Sequence, residues 1–184
     1  MASGSAIEIS IMNMLRLMTC LIVAAILSGC AGLMSRGDQA DGRYCVKVAK
    51  QFSCTKNRVP TVEQQAKAKQ FAPEPGKHIV WLVRRAKYDS QRDLPITVGG
   101  TRIETLPHTL SRVVVEPGIH KVILRTRREM EEVVVNAQAG EQTFVELAAQ
   151  IGLLRTTVSL RRIPEAEGRK LALVGRLIND IRAE

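Results

Sequence analysis

The sequence reads as a mainly β protein. It predicts an antiparallel β-sandwich of about seven strands, with a signal helix before it and an amphipathic helix after it. Three observations carry this. Short apolar runs recur at close spacing from Lys77 onward. Turn residues separate them, at Gly99-Gly100, Glu116-Pro117-Gly118 and Ala139-Gly140. The last run, Leu154 to Arg162, alternates apolar and polar residues, as a half-exposed strand does. No longer-period repeat competes with this reading.

The first element is an apolar run, Leu17 to Leu27, that follows Arg16 and closes on Leu27-Ser28-Gly29-Cys30. It is about 11 residues long, within the ~7–15 of a signal core and short of the ~20 that span a bilayer. A membrane helix or a buried helix is the alternative, and Ser28, Gly29 and Gly32 interrupt both. The segment resembles a bacterial lipoprotein signal. That resemblance implies that residues 1–29 are removed and that Cys30 becomes an acylated N-terminus. Ala31 and Gly32 stand where an Asp would retain such a protein at the inner membrane. The resemblance therefore implies the outer membrane, facing the periplasm.

Residues 30–76 read as a tether and linker. Ser35 to Gly42 is polar and flexible in composition. Cys20 leaves with the signal and Cys30 carries lipid, so Cys45 and Cys54 remain as a pair in an oxidising compartment. A continuous helix would hold them about 13.5 Å apart, and a disulfide needs Cα atoms within roughly 7 Å. A bridge thus requires a turn here; two free thiols are the alternative. A metal reading lacks both a CxxC and a nearby His. Thr61 to Gln70 is rich in helix formers, and Pro73 and Pro75 end any helix.

Residues 77–184 form the predicted sandwich. Ile79 to Val83 is apolar throughout, fit for a strand buried on both faces. Pro95 to Val98 and Thr101 to Leu106 flank the glycine turn as a hairpin. Arg112 to Val115, Ile119 to Thr126, Met130 to Asn136 and Glu141 to Leu147 follow, with turns between them. After Pro164 the period changes: Leu171, Val174, Leu177, Ile178 and Ile181 recur at helical spacing. Pro164 suits the first helical position, and Glu165 and Glu167 suit its positive end. The predicted helix packs on the sandwich or lies on a membrane.

Ala68-Lys69-Gln70-Phe71-Ala72-Pro73-Glu74-Pro75-Gly76-Lys77, leading into Ile79 to Arg85, resembles the start of a bacterial lipoprotein domain family of unknown function. Ile96 to Ile103, Val115 to His120 and Ala139-Gly140-Glu141 are similar to the turns of PEGA-type surface domains. Both resemblances imply a small transthyretin-like sandwich over about residues 67–178, and neither brings catalytic residues. Cys45 and Cys54 depart from the family pattern.

Charge bounds the partners. The formal net charge is +9 and the isoelectric point about 9.8. An exported basic domain meets anionic lipid, lipopolysaccharide or cell-wall polymer. Aromatics at 3% are too few to stack nucleobases, so no nucleic-acid partner is expected. Arg84, Arg85, Arg125 and Arg127 are the densest candidates for binding a polyanion, beside Arg128. Strand alternation predicts that Arg125 and Arg127 share a face. Solvated strand ends are the plain alternative. For catalysis there is little to name. His78, His108 and His120 lie in no HExxH or HxH pattern. Ser111 and Ser159 lie in no GxSxG. Glu131-Glu132 reads as a charged turn, and Gly99-Gly100 precedes no helix that could hold phosphate. No cofactor or metal is implied. The sequence thus predicts a non-enzymatic envelope lipoprotein, anchored through acyl chains, that binds an envelope polymer or a partner protein. The alternative is an unrecognised envelope hydrolase with a site at the loop ends.

Overall fold

His78–Arg84 (β4) is buried along its whole length. Successive strand residues face opposite ways, so a strand apolar on both sides must be covered on both. A computed structural model, which describes residues 36–39, 41–48, 51–85, 94–151 and 156–183, shows how. The strands around β4 are β7 (Thr109–Val115), β10 (Gln142–Ile151), β11 (Thr156–Ile163) and β12 (Arg176–Arg182). They form a five-stranded sheet in the order β11-β10-β4-β7-β12. A four-stranded antiparallel sheet comprises β5 (Ile96–Val98), β6 (Thr101–Ile103), β8 (Gly118–Arg125) and β9 (Met130–Ala137), ordered β6-β5-β8-β9. Val80, Leu82, Val113 and Val145 of the first sheet meet Ile96, Val98, Val122 and Leu124 of the second in one apolar cluster. The mainly β sandwich is therefore present.

The other face of β4 points Ile79, Trp81 and Val83 at a second cluster, shared with Phe71, Phe144 and Ala172. Helix α2 (Glu165–Val174) covers it. Trp81 stacks on Phe144 at 6.1 Å between ring centres, and Phe71 meets Trp81 edge-on at 5.2 Å. The preceding helix, α1 (Val62–Ala68), starts at Thr61, whose hydroxyl and Gln64 form a capping box.

The five-stranded sheet is mixed rather than purely antiparallel, because β4 pairs parallel with β10, and β7 parallel with β12. The chain leaves the five-stranded sheet after β4, returns as β7, leaves again for β8 and β9, and returns as β10 on the other side of β4. Turn residues mark each reversal but not each change of sheet. The predicted C-terminal helix is also shorter than its spacing implied. Pro164 caps α2 instead of opening it, and Gly175 ends it in extended backbone. Leu177, Ile178 and Ile181 lie on strand β12, across a register shift between Leu177 and Asn179. Strand alternation sends Leu177 into the second cluster and Ile178 into a third, and past the bulge Ile181 packs against the first cluster instead of joining Leu177. A bulged strand buried on both faces thus mimics helical spacing.

The third cluster seats a small sheet of β1 (Arg36–Asp38), β2 (Tyr44–Val48) and β3 (Gln51–Cys54) through Tyr44 and Val46 against Leu106 and Ile178. Cys45 and Cys54 face each other across β2 and β3 and form a disulfide, with Cα atoms 4.0 Å apart. The compact unit begins at Arg36, so it includes this sheet and α1 along with the sandwich.

Gly168 marks the closest approach of α2 to the sheet: a Cβ there would lie 2.2 Å from Phe144 Cγ. In an exposed helix, Gly→Ala gains ~1 kcal/mol. Here overpacking should outweigh that gain, and Gly168→Ala should destabilise by ~1–3 kcal/mol in urea unfolding. A stabilised variant would contradict this helix packing.

Candidate functional site

The sequence-predicted residues fall in different places. Cys30, with the signal segment 1–29, lies outside the described residues. Cys45 and Cys54 staple the small sheet. Arg84 is a correction. It shares parity with Val80 and Leu82, points between the sheets and is buried, where its Nη1 donates to the Thr105 carbonyl at 2.7 Å. A residue held there cannot reach a polymer. Arg85 falls on the opposite face, where it pairs with Glu146 and, at 2.8 Å, with Glu167. Glu146 is nearly inaccessible and is also paired by Arg161 across the β10–β11 ladder. Arg85 therefore serves a buried carboxylate, whose lost partner would leave a costly charge.

Arg125 ends β8 and is exposed, as expected. Arg127 does not share its face by strand alternation, because residues 126–129 form a turn. The Thr126 hydroxyl accepts the Arg128 and Glu129 amides there, and the Thr126 amide donates to the Glu129 carbonyl. Glu131 and Glu132 lie on β9 and not in a turn.

The four-stranded sheet buries one face in the sandwich. Cross-strand register lays out the other. Arg102, Thr97, Ile123 and Glu132 form one row across all four strands. Arg125 lies opposite Met130, Lys121 opposite Val134, and Ile119 opposite Asn136. Arg102 and Arg125 flank a cleft of about 370 Å³ whose other walls are Pro95, Thr97 and Ile123. Lys121 pairs with Glu132 at 3.0 Å. Arg125 Nη2 donates to the Met130 sulfur at 3.4 Å. Among the described residues, no carboxylate pairs with Arg102 or Arg125. Ile119, Met130 and Val134 are exposed beside them. The sequence signal for Arg102 was available: the two-residue Gly99-Gly100 turn sets Thr97 opposite Arg102.

A larger groove of about 810 Å³ runs beside Phe71, Arg162 and the start of α2. Several polar groups in and around it are paired within the protein. Arg169 pairs with Glu165 at 2.6 Å and lies 5.0 Å over the Phe71 ring. Gln142 joins the Trp81 indole N–H to the Phe71 carbonyl. Glu74 binds Arg112 and Arg182. Burial alone would raise its carboxyl, but those hydrogen bonds and charges hold it below the usual carboxylate range. His78 is buried, with Nε2 3.0 Å from the Thr143 hydroxyl and Nδ1 accepting the Gln138 amide. Thr143 is buried too, and among the described residues no carboxylate hydrogen-bonds the imidazole. This is a cap on the core's end, not a nucleophile and base awaiting substrate. Among the described residues, no three His, Cys, Asp or Glu side chains gather to hold a metal, and no helix is long and apolar enough to cross a membrane.

No family model, curated protein or solved structure matches this chain.

Burial pushes the His78 imidazole below its ordinary pKa. The unfolded chain then takes up a proton that the folded one refuses, so stability is full above about pH 6.5 and is lost as pH falls toward the depressed value. Imidazole NMR should show His78 titrating below about 6.5, with the urea midpoint falling over the same window. A His78 that titrates at or above about 6.5 would contradict its burial.

Proposed function

We propose that the protein is a lipid-anchored bacterial envelope protein whose sandwich is a non-enzymatic binding module for anionic groups. The observation that carries the binding half is the pair Arg102 and Arg125, with no carboxylate partner among the described residues, on a sheet face that no other described element covers. Elsewhere, Arg85, Arg112, Arg161 and Arg176 are each held by a carboxylate. An anion arriving at the outer face therefore displaces no internal partner. The anchoring half rests on Leu27-Ser28-Gly29-Cys30. Acyl chains at Cys30, at about 0.8 kcal/mol per buried CH₂, hold such a domain stably where one short chain does not. Ala31 and Gly32 after the cysteine support outer-membrane attachment facing the periplasm.

Labelled palmitate should enter the wild-type chain in a bacterial host, and Cys30→Ala should abolish it and leave the precursor uncleaved. Equal labelling of both would contradict the anchor.

A further inference from the structure

The outer face of the four-stranded sheet is amphipathic as well as basic. Along β8 the outward positions read Ile119, Lys121, Ile123, Arg125, apolar and basic in turn. Met130 and Val134 of β9 extend the apolar part, and Arg102 of β6 extends the basic part. Ile119 is 76% exposed, Met130 58% and Val134 54%.

Glycan recognition fits this surface poorly. Among the described residues, Trp81, Phe144, Phe71 and Tyr44 are buried, and the exposed Phe52 lies on β3 of the small sheet. Among the described residues, no aromatic side chain stands on the outer face to stack on a sugar. What it offers instead is two guanidinium groups over a cleft, suited to bidentate phosphate contact, with aliphatic side chains beside them. A phospholipid headgroup region has the same order, with phosphate outermost and hydrocarbon just beneath.

We infer that this face docks on anionic phospholipid headgroups of the leaflet that holds the protein. Arg102 and Arg125 clasp lipid phosphate, while Ile119, Ile123 and Val134 rest at the headgroup boundary. The inference deepens the proposed function and, for the choice of leaflet, rests on it. Five residues, 31–35, separate Cys30 from the start of β1. Fully extended, that connection reaches roughly 20 Å. A tether this short holds a weak lipid site at high effective concentration beside the bilayer. Each basic residue near an anionic leaflet contributes modestly, and the attraction decays within about 8 Å at physiological salt.

Residues 31–184 contain the whole compact unit with its three core clusters and so fold without the signal segment. This unacylated chain should sediment with phosphatidylcholine vesicles that contain phosphatidylglycerol, at low salt, and not with phosphatidylcholine alone. Arg102→Gln with Arg125→Gln should weaken that binding roughly 30-fold. Arg162→Gln with Lys170→Gln, the same charge change elsewhere, should leave it nearly unaltered. All four positions are on the surface, and matching thermal melts would show that the variants fold. Absence of binding to the phosphatidylglycerol vesicles would overturn the inference, as would equal weakening by both pairs. Retention on lipopolysaccharide or peptidoglycan without phosphatidylglycerol binding would overturn it in favour of that polymer. The chain used here has no lipid of its own, so palmitate labelling of Cys30 succeeds or fails independently.

Discussion

Strand β4 has apolar side chains on both faces, and the rest of the molecule is arranged around covering them. The four-stranded sheet covers Val80 and Leu82. Helix α2 and Phe71 cover Ile79, Trp81 and Val83. The five-stranded sheet is thereby the middle layer, between a helical layer and a second sheet. The helical layer comes close because Gly168 has no side chain to hold it off Phe144. A third layer on one side leaves the opposite side open. Among the described residues, the outer face of the four-stranded sheet lies next to no other layer.

Charge follows the same layering. On the helical side, cations are tied into the structure. Arg85 and Arg161 hold the buried Glu146, and Arg112 lies between Glu74 and Asp180. Arg176 binds Asp38 at 2.8 Å and so ties β12 to the small disulfide sheet. These pairs draw down the acidic residues of a chain that already has nine fewer acids than bases. Part of the surplus positive charge lies on the outer face of the four-stranded sheet, at Arg102 and Arg125, which no carboxylate pairs among the described residues. A basic surface beside exposed aliphatic side chains is costly to leave in water and suits an anionic, amphipathic partner.

Much of the sandwich was legible because local chemistry fixes it. The uniform apolarity of Ile79 to Val83 marked the central strand, and Gly99-Gly100 and Pro117-Gly118 marked reversals that only certain backbone conformations permit. What was not legible depends on distant partners. Arg84 and Arg85 are neighbours in sequence, and only the parity of β4 decides that one is buried between sheets and the other pairs with Glu146. The parallel pairing of β4 with β10 requires knowing which sheet each return strand joins. The strand β12 was hidden because a bulge gave its apolar residues helical spacing. Arg102 went unnoticed as a lone cation; its meaning comes from Arg125, two strands away and 23 positions on.

The layer order itself can be tested by arginine accessibility in solution. Modification of the folded protein with phenylglyoxal, read by peptide mass mapping, should label Arg102 and Arg125 rapidly and spare Arg84 until the protein unfolds. Labelling of Arg84 as fast as Arg102 would mean that the two sheets do not close over it, and would contradict the account from β4 outward.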